Sequence, residues 1–300
     1  MPTVTVPAGT LHYRIAGPAA STAPPVVFVH GFLVDSTLWD RVAERLAADG
    51  QRSYLVDWPL GSHAMPMAAD ADLSPLGVAR IVNDVIDALG LADVTLVGND
   101  TGGAICQLLL ADDPSRVGRV VLTNCDAFEN FPPRMFVPLF VAAKRTWLTR
   151  LLLAPMRLRA VRSSPLAYGL LLRPPRDAAL TRGWITPALT DGRIRRDIAR
   201  FARGIDRTAL VAAAPRLRDV TAPARIVWGT NDRAFPLETG RRLAAAFADG
   251  TVVEVPGVST FVPVDAPDAV AAAITGRPVS ADPQPGVDGA VDTGHDASVS

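Results

Sequence analysis

Between two apolar segments, Val94-Thr95-Leu96-Val97 and Gly103 to Ala111, the chain reads Gly98-Asn99-Asp100-Thr101-Gly102-Gly103. A β-branched run, then glycines, then small residues and leucines is the pattern of a strand that turns at once into a helix. A turn that sharp needs glycine on both sides of its central residue. A Cβ there would strike neighbouring backbone, and the central residue itself is held under strain. The same residues also fit an ordinary Asn-Asp turn in which Asp100 only caps the following helix.

The rest of the chain supplies the context. Val4–Val6 and Leu11–Ile15 read as short strands about a Pro-Ala-Gly turn. Pro25-Val26-Val27-Phe28-Val29 is an unbroken apolar run ending at His30-Gly31-Phe32, as expected of a strand buried on both faces. Ser36 is placed to cap a helix reaching Ala48, which Gly50 stops; Ser53–Asp57 follows as a strand. Ser74-Pro75 opens a helix whose stripe is Val78, Val82, Val85, Ile86 and Leu89, and Gly90 ends it. Arg119–Leu122 is the next strand. Between about Phe131 and Leu217 the strand signal vanishes, replaced by short helical stretches that carry arginines and prolines. Alternation resumes with strands over Ala224–Trp228 and Thr251–Val255 and helices over Pro236–Phe247 and Pro267–Ile274. Repeated strand–helix alternation predicts an α/β fold with a mainly parallel sheet flanked by helices. The expected division is a core of residues 1–130 and 218–276, a helical cap inserted over 131–217, and a disordered tail over 277–300.

Thirty basic and thirty acidic residues cancel, which gives no reason to expect nucleic acid or an anionic membrane as partner. No run of about twenty apolar residues occurs, so no membrane span is expected. Cys106 and Cys125 make no disulfide framework and the N-terminus has no signal-peptide pattern; both point to the cytoplasm. No metal-ligand spacing and no phosphate-cradling glycine loop is present, so no metal and no cofactor are expected.

His30-Gly31-Phe32, the Gly98–Gly103 turn, the insertion, and Trp228-Gly229-Thr230-Asn231-Asp232 after a late strand occur in an order that resembles the α/β-hydrolase family over residues 4–275. With aspartate at the elbow it looks most like the branch of haloalkane dehalogenases, fluoroacetate dehalogenases and epoxide hydrolases. That resemblance implies an oxyanion hole from the backbone N–H groups of Phe32 and Thr101. It makes Asp100 a nucleophile, kept ionised by the positive end of the helix dipole, and Asp232 the acid that orients a histidine. Asp126 is a second candidate for that acid.

The family's histidine lies in a segment like Pro-Gly-x-x-His-Phe-x-Pro, and this chain reads Pro256-Gly257-Val258-Ser259-Thr260-Phe261-Val262-Pro263. Thr260 stands in the histidine position, and its hydroxyl has no pKa that would let it serve as a base near neutrality. Of the four histidines, His12 belongs to the N-terminal hairpin, His295 to the tail and His30 to the oxyanion loop. That leaves His63, in a loop at the carboxyl edge of the sheet, as the candidate displaced base. The expected function is a hydrolase-family enzyme acting on a small lipophilic molecule through Asp100, with atypical or non-hydrolytic chemistry such as cyclisation, isomerisation or elimination. One alternative is an epoxide-hydrolase-like enzyme using His63, another an inactive ligand-binding protein. A natural threonine and an engineered trapping substitution read alike.

Thr101 after Asp100 replaces the tryptophan or arginine that the two dehalogenase types carry there, which leaves epoxide chemistry the least contradicted. His30, Trp147, Tyr168 and Trp184 are the expected pocket residues. Arg134, Arg145, Arg150, Arg157, Arg159 and Arg162 read as a solvated helix face. Cys106 reads as a buried, inert thiol.

Overall fold

The computed structural model describes residues 1–174 and 177–278. The expected disordered tail lies, from residue 279 onward, outside the described residues. The strands are β1 (Thr3–Val6), β2 (Gly9–Ala16), β3 (Val26–Val29), β4 (Ser53–Val56), β5 (Val94–Asp100), β6 (Val117–Cys125), β7 (Ala224–Gly229) and β8 (Gly250–Val255). They form one sheet in the order β1-β2-β4-β3-β5-β6-β7-β8. The β1–β2 and β2–β4 pairs are antiparallel, and every pair from β4 to β8 is parallel.

The helices of the alternating regions are α1 (Asp40–Ala48), α2 (Pro75–Ala88) and α3 (Thr101–Asp112). Between β6 and β7 come α4 (Val137–Ala143), α5 (Thr146–Leu153), α6 (Arg159–Arg162), α7 (Ala178–Thr190), α8 (Gly192–Arg203) and α9 (Ala209–Ala213). The chain then returns through α10 (Leu237–Ala246), α11 (Val262–Asp265) and α12 (Pro267–Thr275).

Apolar runs in the central strands become two cores because successive side chains point to opposite faces. Val27 and Val29 of β3 join a core with α2, α3 and α10, whereas Val26 and Phe28 join another with α1 and α12. The same alternation holds for Val120 and Leu122 against Val121 in β6. Ser74 caps α2 as expected, its hydroxyl accepting from Gly77 N at 3.1 Å. Ser36 does not cap α1. Asp35 caps a 3-10 turn over Ser36–Trp39 by accepting from Thr37 N at 2.9 Å, and α1 begins only after that turn. The carboxylate is the better acceptor, and it lies one residue earlier.

Among the described residues no helix is long and apolar enough to cross a membrane.

Candidate active site

Strand β5 runs into α3 with no intervening loop, and Asp100 at the junction has φ +53° and ψ −132°. Such backbone is costly for a residue with a side chain and persists only where packing imposes it. The glycines explain why nothing relaxes it. A Cβ on Gly102 would lie 2.2 Å from Val29 O, and one on Gly98 would lie 2.8 Å from both Cys106 Sγ and Gly103 Cα. Gly31 is equally constrained, since its Cβ would lie 2.1 Å from Asp100 Oδ2. Gly102→Ala should therefore lose about 1–3 kcal/mol or more through backbone collision, although alanine ordinarily improves a helix. Urea unfolding checks this; a variant as stable as the parent would refute the steric account.

The Asp100 carboxyl receives backbone N–H groups from Phe32, at 3.3 Å to Oδ2, and from Thr101. Part of Asp100 stays accessible, while Asn99, Thr101, Gly102 and Gly103 around it are buried. Burial pushes its pKa up to about 7, and the Asp232 charge adds to the rise. The two N–H groups pull the other way and are outweighed. This corrects the expectation of a carboxylate kept ionised by the helix dipole: desolvation exceeds what a helix terminus supplies.

Asp232 follows β7. Its Oδ1 accepts from Ala234 N at 2.8 Å and Phe235 N at 3.0 Å. Its Oδ2 accepts from Asn124 Nδ2 at 2.8 Å and from the Thr260 hydroxyl, also at 2.8 Å. Thr260, fully buried, thus lies against the Asp232 carboxyl, and its own carbonyl accepts from Asn99 Nδ2 at 2.8 Å. Asp126 is buried beyond the end of β6. The Thr101 hydroxyl donates to its carboxyl, and Oδ1 has no partner. Burial and the neighbouring Asp100 push Asp126 well above the usual carboxylate range. The neighbourhood of Asp100 therefore holds three carboxyls, and among the described residues none of them forms an ion pair with Lys, Arg or His. No group of three or more His, Cys, Asp or Glu among the described residues is arranged to hold a metal ion.

The histidines lie elsewhere. His30 is fully buried; Trp58 N donates to its Nε2 at 2.9 Å and Nδ1 lies 3.0 Å from Gly31 O. Burial lowers its pKa to about 4, so it is a neutral strut of the loop that presents Phe32 N. His63 accepts from Gly61 N through Nδ1 at 3.3 Å, which leaves Nε2 to donate to Asp197 Oδ2 of α8 at 3.3 Å. Both ring nitrogens are engaged with these partners and neither bonds to Asp100. The same Asp197 oxygen accepts from Met67 N at 2.9 Å.

The expected pocket residues divide in the same way. Trp147 is 64% exposed on the outer surface of α5, because that helix turns Thr149 and Leu153 inward instead; it is not a pocket residue. Tyr168 and Trp184 are buried and in edge contact, with ring centroids 5.3 Å apart. The Tyr168 hydroxyl donates to Leu33 O, and the Trp184 indole donates to Thr37 Oγ1 at 2.9 Å. Trp184 also meets Phe261, the neighbour of Thr260, at 5.5 Å. Phe201 of α8 stacks on Phe32 at 5.8 Å and Phe140 of α4 lies tilted against it at 4.7 Å; neither was among the expected pocket residues. Cys106 is buried beneath the elbow and its thiol is pushed upward by burial, as expected of an inert sulfur.

This architecture and this turn define a class before any relative is considered. Residues 24–267 match the model of the alpha/beta hydrolase fold, and the chain belongs to that family. Its curated relatives include a 2-hydroxy-6-oxononadienedioate/2-hydroxy-6-oxononatrienedioate hydrolase of Dechloromonas aromatica, 30% identical over 78% of each chain. Haloalkane dehalogenase 2 of Mycobacterium tuberculosis is 28% identical over 90% of this chain and 91% of its own. Among solved structures, an alpha/beta hydrolase fold protein from Burkholderia ambifaria is 27% identical with a TM-score of 0.71, covering 89% of this chain and 94% of that one. A putative ancestral haloalkane dehalogenase superposes with a TM-score of 0.74 at 20% identity, covering 92% and 97%. The protein is thus an α/β-hydrolase enzyme related to hydrolases of more than one substrate class.

Proposed function

We propose that this enzyme acts through Asp100 on a small lipophilic molecule, beneath a cap formed by residues 131–217, and that it does so without hydrolytic turnover. The observation that carries the reading is the 2.8 Å hydrogen bond from the Thr260 hydroxyl to Asp232. The acid that would orient a general base is occupied by a group that cannot be one. The Asp100 carboxyl, oriented by the Phe32 and Thr101 N–H groups, can attack carbon or exchange a proton. A carboxyl with a pKa of about 7 does either at neutral pH. Cyclisation, isomerisation and elimination need only such a group, whereas ester hydrolysis also needs water to be activated.

The aromatic residues Phe140, Phe201, Tyr168 and Trp184 support a lipophilic occupant. The engagement of His63 with Gly61 and Asp197 leaves no support for a displaced base. Incubation with an aryl epoxide, followed by intact mass, is the test. A one-to-one adduct on Asp100 that persists is expected, forming faster as pH rises through about 7. Repeated conversion of the epoxide to diol by the unmodified protein would sink the proposal.

A further inference from the structure

A formal net charge of zero conceals strong segregation. No Asp or Glu occurs between Glu129 and Asp177, the stretch that supplies α4, α5 and α6. Arg134, Lys144, Arg145, Arg150, Arg157 and Arg159 are all exposed there, and among the described residues none of them is in an ion pair. Arg162 is different. It is buried, and its guanidinium donates to Met156 O and Arg157 O at 2.8 Å, so it holds the backbone of this segment in shape.

The same stretch carries the exposed apolar surface. Apart from Met1, Ile15 and Val211, every exposed large hydrophobic residue of the described chain lies between Met135 and Leu166. Trp147 and Leu151 are one helical turn apart on α5, opposite the buried Thr149 and Leu153, with Arg150 beside them. Val141, Leu158 and the 97% exposed Leu166 extend the surface. A merely solvated face pairs its arginines with acids and keeps tryptophan and leucine inward; this face does neither.

We infer that the outer face of α4–α6, with the turn carrying Leu166, docks onto an anionic lipid bilayer. Interleaved arginine, tryptophan and leucine is the composition of a surface lying in the headgroup layer. There the guanidinium groups meet lipid phosphates and the apolar side chains enter the acyl boundary. A second copy of the chain fits this face poorly, since a two-fold contact would set the same unpaired cations against themselves. The inference rests on charge and exposure at the insertion and is independent of the chemistry at Asp100.

Sedimentation of the full chain with phosphatidylcholine vesicles, with and without phosphatidylglycerol, tests it. Binding is expected only with the anionic lipid, and it should weaken with salt. Trp39, Trp58, Trp184 and Trp228 are fully buried, so a blue shift of the emission on binding and its quenching by brominated lipid report Trp147. Arg150→Gln with Arg157→Gln and Arg159→Gln should weaken binding by at least ~10-fold, given the strength of each surface contact. Trp147→Ser with Leu151→Ser should do the same while the melting temperature is kept, because both residues are exposed. No association with anionic vesicles at low salt, equal association with neutral ones, or binding unaffected by either variant overturns the inference. So does a concentration-dependent dimer that binds no vesicles, which would assign the face to a second copy.

Discussion

Thr260→His is expected to convert a persistent Asp100 adduct into one that hydrolyses, accelerating its decay by about 10²–10⁴-fold. The acceptor for the new side chain already exists. Asp232 Oδ2 takes the Thr260 hydroxyl at 2.8 Å, and Ala234 N, Phe235 N and Asn124 Nδ2 fix the same carboxylate. An imidazole donating one N–H to that oxygen keeps its second nitrogen unprotonated and free to activate water. Thr260 is fully buried and histidine is larger, so near-ultraviolet circular dichroism must first show that the variant keeps its tertiary packing. Decay of the adduct is then followed by intact mass in a single turnover. A folded variant whose adduct lives as long as that of the parent would remove the ground for treating Thr260 as the vacated base position.

Asp100→Asn should abolish adduct formation and, in the same stroke, stabilise the fold at neutral and alkaline pH. The carboxyl titrates near 3.8 in an unfolded chain and at about 7 in the folded one, because burial penalises its ionised form. A raised folded value means that the native state binds the proton more tightly than the unfolded state. Parental stability from this group is therefore greatest below about pH 4, falls as pH rises towards 7, and is level above. The interval corresponds to at most roughly 4 kcal/mol. Asparagine has nothing to ionise, so the stability gap between variant and parent should open across that window and stay open at pH 8. Asp126 and Asp232 are present in both proteins and interact with the Asp100 charge, so the gap reports Asp100 together with its coupling to these two carboxyls. Urea unfolding at pH 4.5 and 8 is the measurement; an equal gap at the two pH values would show that desolvation does not govern Asp100.

Both expectations began in the sequence, one at residues 98–103 and the other at residues 256–263, and the chain made much of the design legible. Gly98, Gly102 and Gly103 specify a turn that only glycine can make, and it lies where the apolar runs demanded a strand and a helix. The Val26–Val29 and Val94–Val97 runs specify strands buried on both faces, which a parallel sheet between helices provides. Thr260 stood out in the sequence because its neighbours keep register with the pattern of the family that the chain resembles, in which a histidine takes that place. Local signals of this kind are visible because they depend on residues adjacent in the chain.

What depended on distant residues was not. The β5–β6 register shifts between Asn99 and Asp100: Asn99 pairs with Thr123 but Asp100 with Cys125, which leaves Asn124 as an extra residue at the carboxyl edge. That bulge aims Asn124 at Asp232 and Gly229, and no sequence pattern announces it. Trp147 and Trp184 look alike as aromatic residues of the insertion, yet one faces solvent and the other is fully buried against Tyr168 and Phe261, because short helices bury whichever side meets a neighbour. The protonation of Asp100 was decided in the same way. Sequence alone placed a carboxylate at a helix N-terminus, where the local dipole favours charge. Tertiary packing drew Asp126 and Asp232 towards it and left it only partly accessible, and desolvation is a property of the whole surrounding volume, outweighing what any one helix end contributes.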